Sequence, residues 1–288
     1  MDITYRYDTF AVLDPRKVPT AEAAIQALAD GNARFRDIAS RVQAEVLGGA
    51  VGQPVVIPVN PLTLGFPLVA GKPPAQSPFA IILGCSDARA PIERVLDHSH
   101  NELFIVRVAG NVLGTECLGS VEYASRNFAS SVKAVVVLGH TGCGAIAAAV
   151  DLYLDPEAYG AIAETHALRT IIDRILVVVR VAALALNKRC GPTAEADPGY
   201  RQALWEMGVY LNAALTAHDL AREIQHAEGA GHPVMFGVYD LASQKVASSP
   251  DENSPAFAPA PKTAKDFATL AEALTESVLS CGVIRPEL

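Results

Sequence analysis

The sequence is short of charge, and the charge it has is of the wrong sign for several partners. Only 19% of its 288 residues are charged, the formal net charge is −8, and no run of Lys or Arg occurs. Nucleic acid and anionic membrane are held mainly by clustered cations, so neither is expected as a partner. The N-terminus, M-D-I-T-Y-R-Y-D, lacks the basic-then-apolar pattern of a secretory signal. Long hydrophobic runs are lacking too: I-L-V-V-V-R-V-A-A-L-A-L at 175–186 is too short to span a bilayer and carries Arg180 in its middle. It reads as a buried or interface helix. The five cysteines are odd in number, which does not suit a closed disulfide framework. A reduced, cytoplasmic protein is the expectation, and no internal repeat is visible.

Apolar side chain, by contrast, is plentiful. Half the residues are hydrophobic and the mean hydropathy is positive, more than one compact surface comfortably hides. Burial between subunits of a homo-oligomer is the natural outlet. Two apolar runs stand out, A-I-I-L-G-C-S-D-A-R at 80–89 and A-V-V-V-L-G-H-T-G-C-G at 134–144. Each is β-branched and breaks at a glycine into a thiol or imidazole, which reads as a buried strand ending in a ligand-bearing loop. In an open parallel sheet, ligands collect outside the carboxyl ends of the strands, so Cys85, His140 and Cys143 are expected on one edge. Two thiols and an imidazole suit a tetrahedral zinc, and three protein ligands leave one position open, the mark of a catalytic site. If the chain stays extended past Cys85, then Asp87 and Arg89 share its side. Cys143 precedes the alanine-rich A-I-A-A-A-V and should lie near a helix N-terminus, which favours thiolate.

The rest of the chain alternates strands and helices, predicting an α/β fold with a mainly parallel β-sheet flanked by helices. A helical arm over 20–47 opens at Thr20, which can cap it. Residues 48–78 carry Pro54, Pro58, Pro61, Pro67, Pro73 and Pro74 among valines and leucines, which forbids regular helix and disfavours central strands. The expectation there is an apolar, irregular segment packed against a neighbouring subunit. Strands follow at 79–83, 103–108 and 133–138, with helices near 91–97, 115–130 and 144–152. Long helices over 161–187 and 200–227 precede a strand at 233–241. Residues 248–262, S-S-P-D-E-N-S-P-A-F-A-P-A-P-K, read as a linker, and 263–288 as a helical extension of a single domain, 1–288.

Taken together, C-S-D-A-R at 85–89 and H-T-G-C-G at 140–144 resemble the β-class carbonic anhydrase family. G-N-A-R-F at 31–35, Q-S-P at 76–78, L-F-I-V-R-V-A-G-N at 103–111, G-S-V-E-Y-A at 119–124 and G-V-Y-D at 237–240 agree in order and spacing. The resemblance covers roughly residues 22–246. It implies a zinc enzyme that reversibly hydrates carbon dioxide to bicarbonate and a proton through zinc-bound hydroxide, with Cys85, His140 and Cys143 as the ligands. It implies that Arg89 holds the carboxylate of Asp87 off the metal, and that Asp87 accepts a hydrogen bond from that hydroxide. A guanidinium suits this task because it grips a carboxylate through two parallel bonds.

The same resemblance makes Gln76 a substrate contact donated across a dimer interface, Gly144 a backbone approach to the substrate, and Arg107 and Asn111 supports of the site. A homodimer or a multiple of it, such as a homotetramer, is implied. Alternatives are a hydrolase of carbonyl sulfide or carbon disulfide on the same site, and a non-catalytic zinc- or bicarbonate-binding subunit. Against the family pattern, Ala88 replaces a common serine and Ala90 a common valine, neither at a ligand position. No histidine lies in 115–130, where some members are thought to carry a proton shuttle. His98 and His100 are expected to be solvated, and Cys117, Cys190 and Cys281 to be packed in the core.

Overall fold

A computed structural model describes residues 3–7, 18–48, 55–59, 71–226 and 231–284. In chain order the strands and α-helices are β1 (Ile3–Tyr7), α1 (Ala21–Gly48), β2 (Val55–Val59), β3 (Ala80–Gly84), α2 (Ile92–Val95) and β4 (Leu103–Arg107). Then come α3 (Thr115–Asn127), β5 (Ala134–His140), α4 (Gly144–Leu154), α5 (Tyr159–Ile162) and α6 (His166–Cys190). The chain ends with α7 (Tyr200–His226), β6 (Val234–Tyr239), β7 (Val246–Ala247), β8 (Ala258–Pro259) and α8 (Ala264–Ser280). The main sheet runs β4-β3-β5-β6-β7, with β8 also paired to β6. Its first four strands are parallel, and β7 and β8 join antiparallel. The fold is α/β with a mainly parallel sheet between helices, as the alternation of strands and helices predicts.

Both faces of the sheet are covered, and the side-chain alternation of the strands divides the core in two. Ile81, Leu83, Val135 and Val137 point into a cluster shared with α4, α6, α7 and α8. Ala80, Ile82, Ala134, Val136 and Leu138 point the other way, against α1 and α2. The arm α1 opens as expected, Thr20 Oγ1 accepting from the Ala23 N–H at 3.2 Å. It docks through Ala24, Leu28, Gly31 and Asn32, which are buried at helical spacing. Gly31 is required because a Cβ there would collide with the Leu96 carbonyl. Asn32 then donates to the carbonyls of Val95 and Gln244, each at 3.0 Å, and accepts from the Val246 N–H at 2.8 Å. Beyond Phe35 the arm leaves this core, ending with Val46 and Leu47 at 76% and 77% exposure.

Three expectations are corrected. Within 48–78, residues 55–59 are a strand rather than irregular chain, pairing in parallel with β1, with Pro58 opposite Arg6. In a two-stranded sheet every strand is an edge, so a residue without an N–H is tolerated; residues 49–54 and 60–70 lie outside the described residues. The expected helix over 161–187 is split, because α5 ends at Ile162 and Thr165 caps a new helix, its Oγ1 accepting from the Leu168 N–H at 3.2 Å. Residues 248–262 are not a free linker. β8 pairs with β6, Phe257 and Ala260 are buried, and Ser248 donates through N–H and Oγ to the Pro255 carbonyl at 2.8 and 2.9 Å. A few apolar residues among turn formers are enough to stitch the segment to the sheet, and α8 then buries Ala271, Leu274 and Val278 in the core of α6 and α7. Among the described residues no helix is long and apolar enough to cross a membrane.

Candidate metal centre

β3 and β5 are direct neighbours, Gly84 level with Leu138. Cys85, just past β3, and His140, the last residue of β5, therefore leave the sheet at the same edge. Cys143 follows as the N-cap residue of α4. All three are buried, and their ligand atoms lie within 4.8 Å of one another. His140 Nδ1 donates to the Thr141 carbonyl at 2.9 Å, so its lone pair is on Nε2, an atom buried without a hydrogen-bond partner among the described residues. An orphaned buried nitrogen facing two thiols is costly, and a soft cation would satisfy all three donors at once. The residues present therefore fit a metal of zinc's type.

Protonation follows the same geometry. The two thiols stand close together, and their mutual interaction, more than any other influence, pulls the Cys85 thiol down and pushes the Cys143 thiol up. Burial works against a charged His140, but the Cys85 sulfur beside it and the charge that sulfur carries outweigh burial and raise its pKa. The pocket is thus arranged for negative sulfur against positive charge.

Asp87 and Arg89 do not continue an extended strand. The Asp87 carboxylate accepts from the Arg89 backbone N–H at 2.8 Å, closing an Asx turn, and the Ala90 N–H bonds to the Asp87 carbonyl at 3.1 Å. The turn still brings the guanidinium onto the carboxylate, through Nε at 3.0 Å and a terminal nitrogen at 2.7 Å. That bidentate grip, opposed by partial burial, holds the Asp87 carboxyl far below the usual carboxylate range. Arg89 also donates to the Gly142 carbonyl at 3.1 Å, and an Asp87 oxygen stands 3.7 Å from His140 Nε2. The carboxylate is thus beside the donors and turned towards arginine.

Arg107 holds the loop from its other side, donating to the carbonyls of Cys85 at 3.0 Å, Asp87 at 2.7 Å and Ala90 at 3.3 Å. Asn111 is buried with φ +44°, and its side-chain nitrogen has no partner among the described residues. Gly144 opens α4, and a Cβ there would meet nothing within 4 Å. Gln76 is not brought to the centre. Its exposed loop is pinned by Asn101, which donates to the Ala75 carbonyl at 2.8 Å and accepts from the Ser77 N–H at 2.9 Å. This is the amino end of β3, whereas the centre lies at the carboxyl end, roughly 17 Å away along a five-residue strand.

His98 is corrected from solvated to buried: it lies between Glu102 and the Ala27 carbonyl, each at 3.3 Å, with its ring against Phe79. His100 is exposed, Cys117 and Cys190 are half-buried against the core, and Cys281 is exposed rather than packed.

Several contacts join residues that the motifs do not pair. Thr141 Oγ1 donates to Asp240 at 3.0 Å and accepts from the Leu241 N–H at 3.0 Å, tying the His140 loop to the end of β6. The Gly110 N–H points at Cys85 Sγ, 3.3 Å away, while the Gly110 carbonyl accepts from Asn212 at 2.7 Å. Trp205 donates to the Cys143 carbonyl at 3.0 Å. The available signal for Asn212 is a lone amide in the apolar run V-Y-L-N-A-A-L of α7. A cavity of about 730 Å³ lies beside the donors and shares only Thr141 and Gly142 with their loop, so the chemistry belongs to the donor cluster and not to that void.

The comparisons agree with this arrangement. The family model for carbonic anhydrase matches residues 80–243. The carbonic anhydrase of Mycolicibacterium smegmatis is 34% identical over 225 residues, 78% of this chain and 91% of that protein. Carbonic anhydrase 2 of Mycobacterium tuberculosis is 34% identical over 106 residues, 37% of this chain and 48% of that one. Among solved structures, a Coccomyxa β-carbonic anhydrase in complex with acetazolamide is 20% identical and covers 77% of this chain and 84% of its own. Its TM-score is 0.45, at which the likeness carries no weight for the site. On the family match and the M. smegmatis relative, with the donor cluster where that match lies, the chain belongs to the β-class carbonic anhydrase family.

Proposed function

We propose that the protein is a zinc-dependent carbonic anhydrase that reversibly hydrates carbon dioxide to bicarbonate and a proton. The observation that carries this reading is the buried cluster of Cys85, His140 and Cys143 with an unpartnered His140 Nε2, in a chain of this family. Cys85 and Cys143 as thiolates and His140 through Nε2 would hold the zinc. A zinc bound there supplies Lewis acidity, bringing the ionisation of water towards neutral pH so that it can attack the carbon of carbon dioxide.

The other steps belong to the chain's own residues. The Thr141 carbonyl fixes the His140 tautomer, which keeps Nε2 free to ligate. Arg89 keeps the Asp87 carboxylate ionised and turned away from the donors. Asp87 then accepts a hydrogen bond from the attacking water and sets its orientation. Arg107 fixes the loop that carries both Cys85 and Asp87. Gly144, with open space where a side chain would stand, leaves room for the substrate against the backbone.

Gln76 enters as a contact from a second copy, since it sits at the far end of its own strand. A homodimer, or a multiple of it, follows from that placement and from the exposed apolar end of α1. A cytoplasmic location belongs to the same reading. The test is stopped-flow hydration of carbon dioxide by metal-replete protein, with metal analysis of the same sample. A zinc per chain and rapid hydration support the proposal; a zinc-replete protein without hydration activity refutes it.

A further inference from the structure

We propose that Trp205 and Asn212, two helical turns apart on one face of α7, are positioning residues for the two sulfur ligands: Asn212 acts on Cys85 through Gly110, and Trp205 acts on Cys143. The inference rests on the zinc reading above and deepens it, because it assigns residues outside every motif of the site.

Asn212 is buried, and its amide makes one short bond, 2.7 Å to the Gly110 carbonyl. Gly110 has φ +67°, and a Cβ on it would meet Ile175 at 2.9 Å and Ala145 at 3.1 Å. It has no side chain with which to hold its own torsions, so its orientation depends on what grips its peptide groups. With the carbonyl held by Asn212, the N–H is aimed at Cys85 Sγ. An N–H bonded to a ligating sulfur withdraws electron density from it, weakens its donation, and leaves the metal a stronger Lewis acid.

Trp205 acts on the other sulfur's backbone. Its indole N–H shares the Cys143 carbonyl with the Ala147 N–H, both at 3.0 Å. Arg201 lies over the indole ring, 5.6 Å from its centroid, and pairs with Asp151 of α4. Trp205 is thereby clamped between α7 and α4, and it fixes the residue where α4 begins.

The test uses full-length protein loaded with cobalt(II), whose thiolate-to-metal charge-transfer band reports on the sulfurs. Asn212→Leu removes the donor and keeps most of the volume; if it does not fold, Asn212→Ser, too short to span the bond, replaces it. The expected result is a band moved to lower energy, because the sulfur without its N–H donates more strongly, and a metal affinity about 10- to 100-fold weaker by competition with a chelating dye, because Cys85 is no longer held in place for the metal. The midpoint of thermal unfolding of the metal-free protein should fall by only a few degrees, the loss expected for one buried hydrogen bond. Trp205→Phe should weaken affinity without moving the band, because no bond to sulfur is lost. A native band and native affinity in the Asn212 variant overturn the inference while leaving the zinc reading intact. A parent protein that takes up no cobalt through sulfur overturns both.

Discussion

Strands β5 and β4 flank β3 on its two sides, and the chain treats them differently. All seven residues of β5 are buried, whereas four of the five in β4 are only half-buried and the fifth, Arg107, is exposed. β5 ends in His140 and leads to Cys143, on the side of the sheet that the chain completes with its own helices. β4 ends in Arg107, on the side it leaves open, where the half-buried Phe104 packs against Tyr123, 54% exposed. The donor cluster is therefore finished within one chain. The Arg107-braced loop and the β4 edge face a surface that a second copy would complete. Metal binding should accordingly survive changes that disturb assembly, and the reverse should not hold for activity.

The largest expected effect is on the completed side. Cys143→Ala removes one donor of a buried trio, and both metal content and hydration should fall to background. Full zinc content in that variant would show that the cluster is not the metal site. Next is Arg89→Ala, which leaves the donors untouched but frees Asp87 from its bidentate partner. Hydration should drop by about 10²- to 10⁴-fold with zinc retained, the range typical of losing a positioned acid–base group. Loss of metal together with activity would place Arg89 in the structural support of the centre instead.

Assembly is tested by Val46→Asp with Leu47→Asp, at the solvent-exposed end of α1. Sedimentation should show a lighter species, and hydration should fall several-fold while zinc per chain is unchanged. An active species at the monomer mass would break the contrast. A paired stability measurement sharpens it. Leu83→Ala, in the fully buried β3, should cost about 2–5 kcal/mol at any protein concentration. Ile105→Ala, on the half-buried β4, should cost less, with a loss that depends on protein concentration if a second copy covers that edge.

What was legible beforehand divides along similar lines. The runs feeding Cys85 and His140 are short, apolar and β-branched, so strand, loop and shared edge could be read from local pattern. The bonds from Asn212 to Gly110 and from Trp205 to Cys143 could not, because they join residues that only the packing of α7 brings together. His98 misleads because D-H-S-H-N is a polar stretch; only the return of α1 over α2 covers it. The 248–262 stretch misleads because composition counts its turn residues, while its pairing depends on Phe257 and on the partner strand β6. Gln76 shows the opposite limit: its motif is plain, but the fold of a single chain places it at the wrong end of β3.

The smallest expected effect separates the two roles of Arg89, in chemistry and in stability. Its grip depresses the Asp87 carboxyl in the folded protein, so the native state favours the ionised form more than the unfolded chain does. Stability from this pair is present in full above the ordinary carboxylate pKa of about 3.9. It is lost as pH falls through that value towards the depressed folded one, where the native carboxylate also takes up its proton. Because Arg89 is 60% exposed, solvent screens the pair and the contribution is small. Thermal unfolding of metal-free protein should therefore show Arg89→Ala slightly below the parent at pH 7, with a gap that begins to narrow only as the pH falls below about 4. A gap that stays the same on acidification would mean that Arg89 stabilises the fold through its bond to the Gly142 carbonyl rather than through the charge on Asp87.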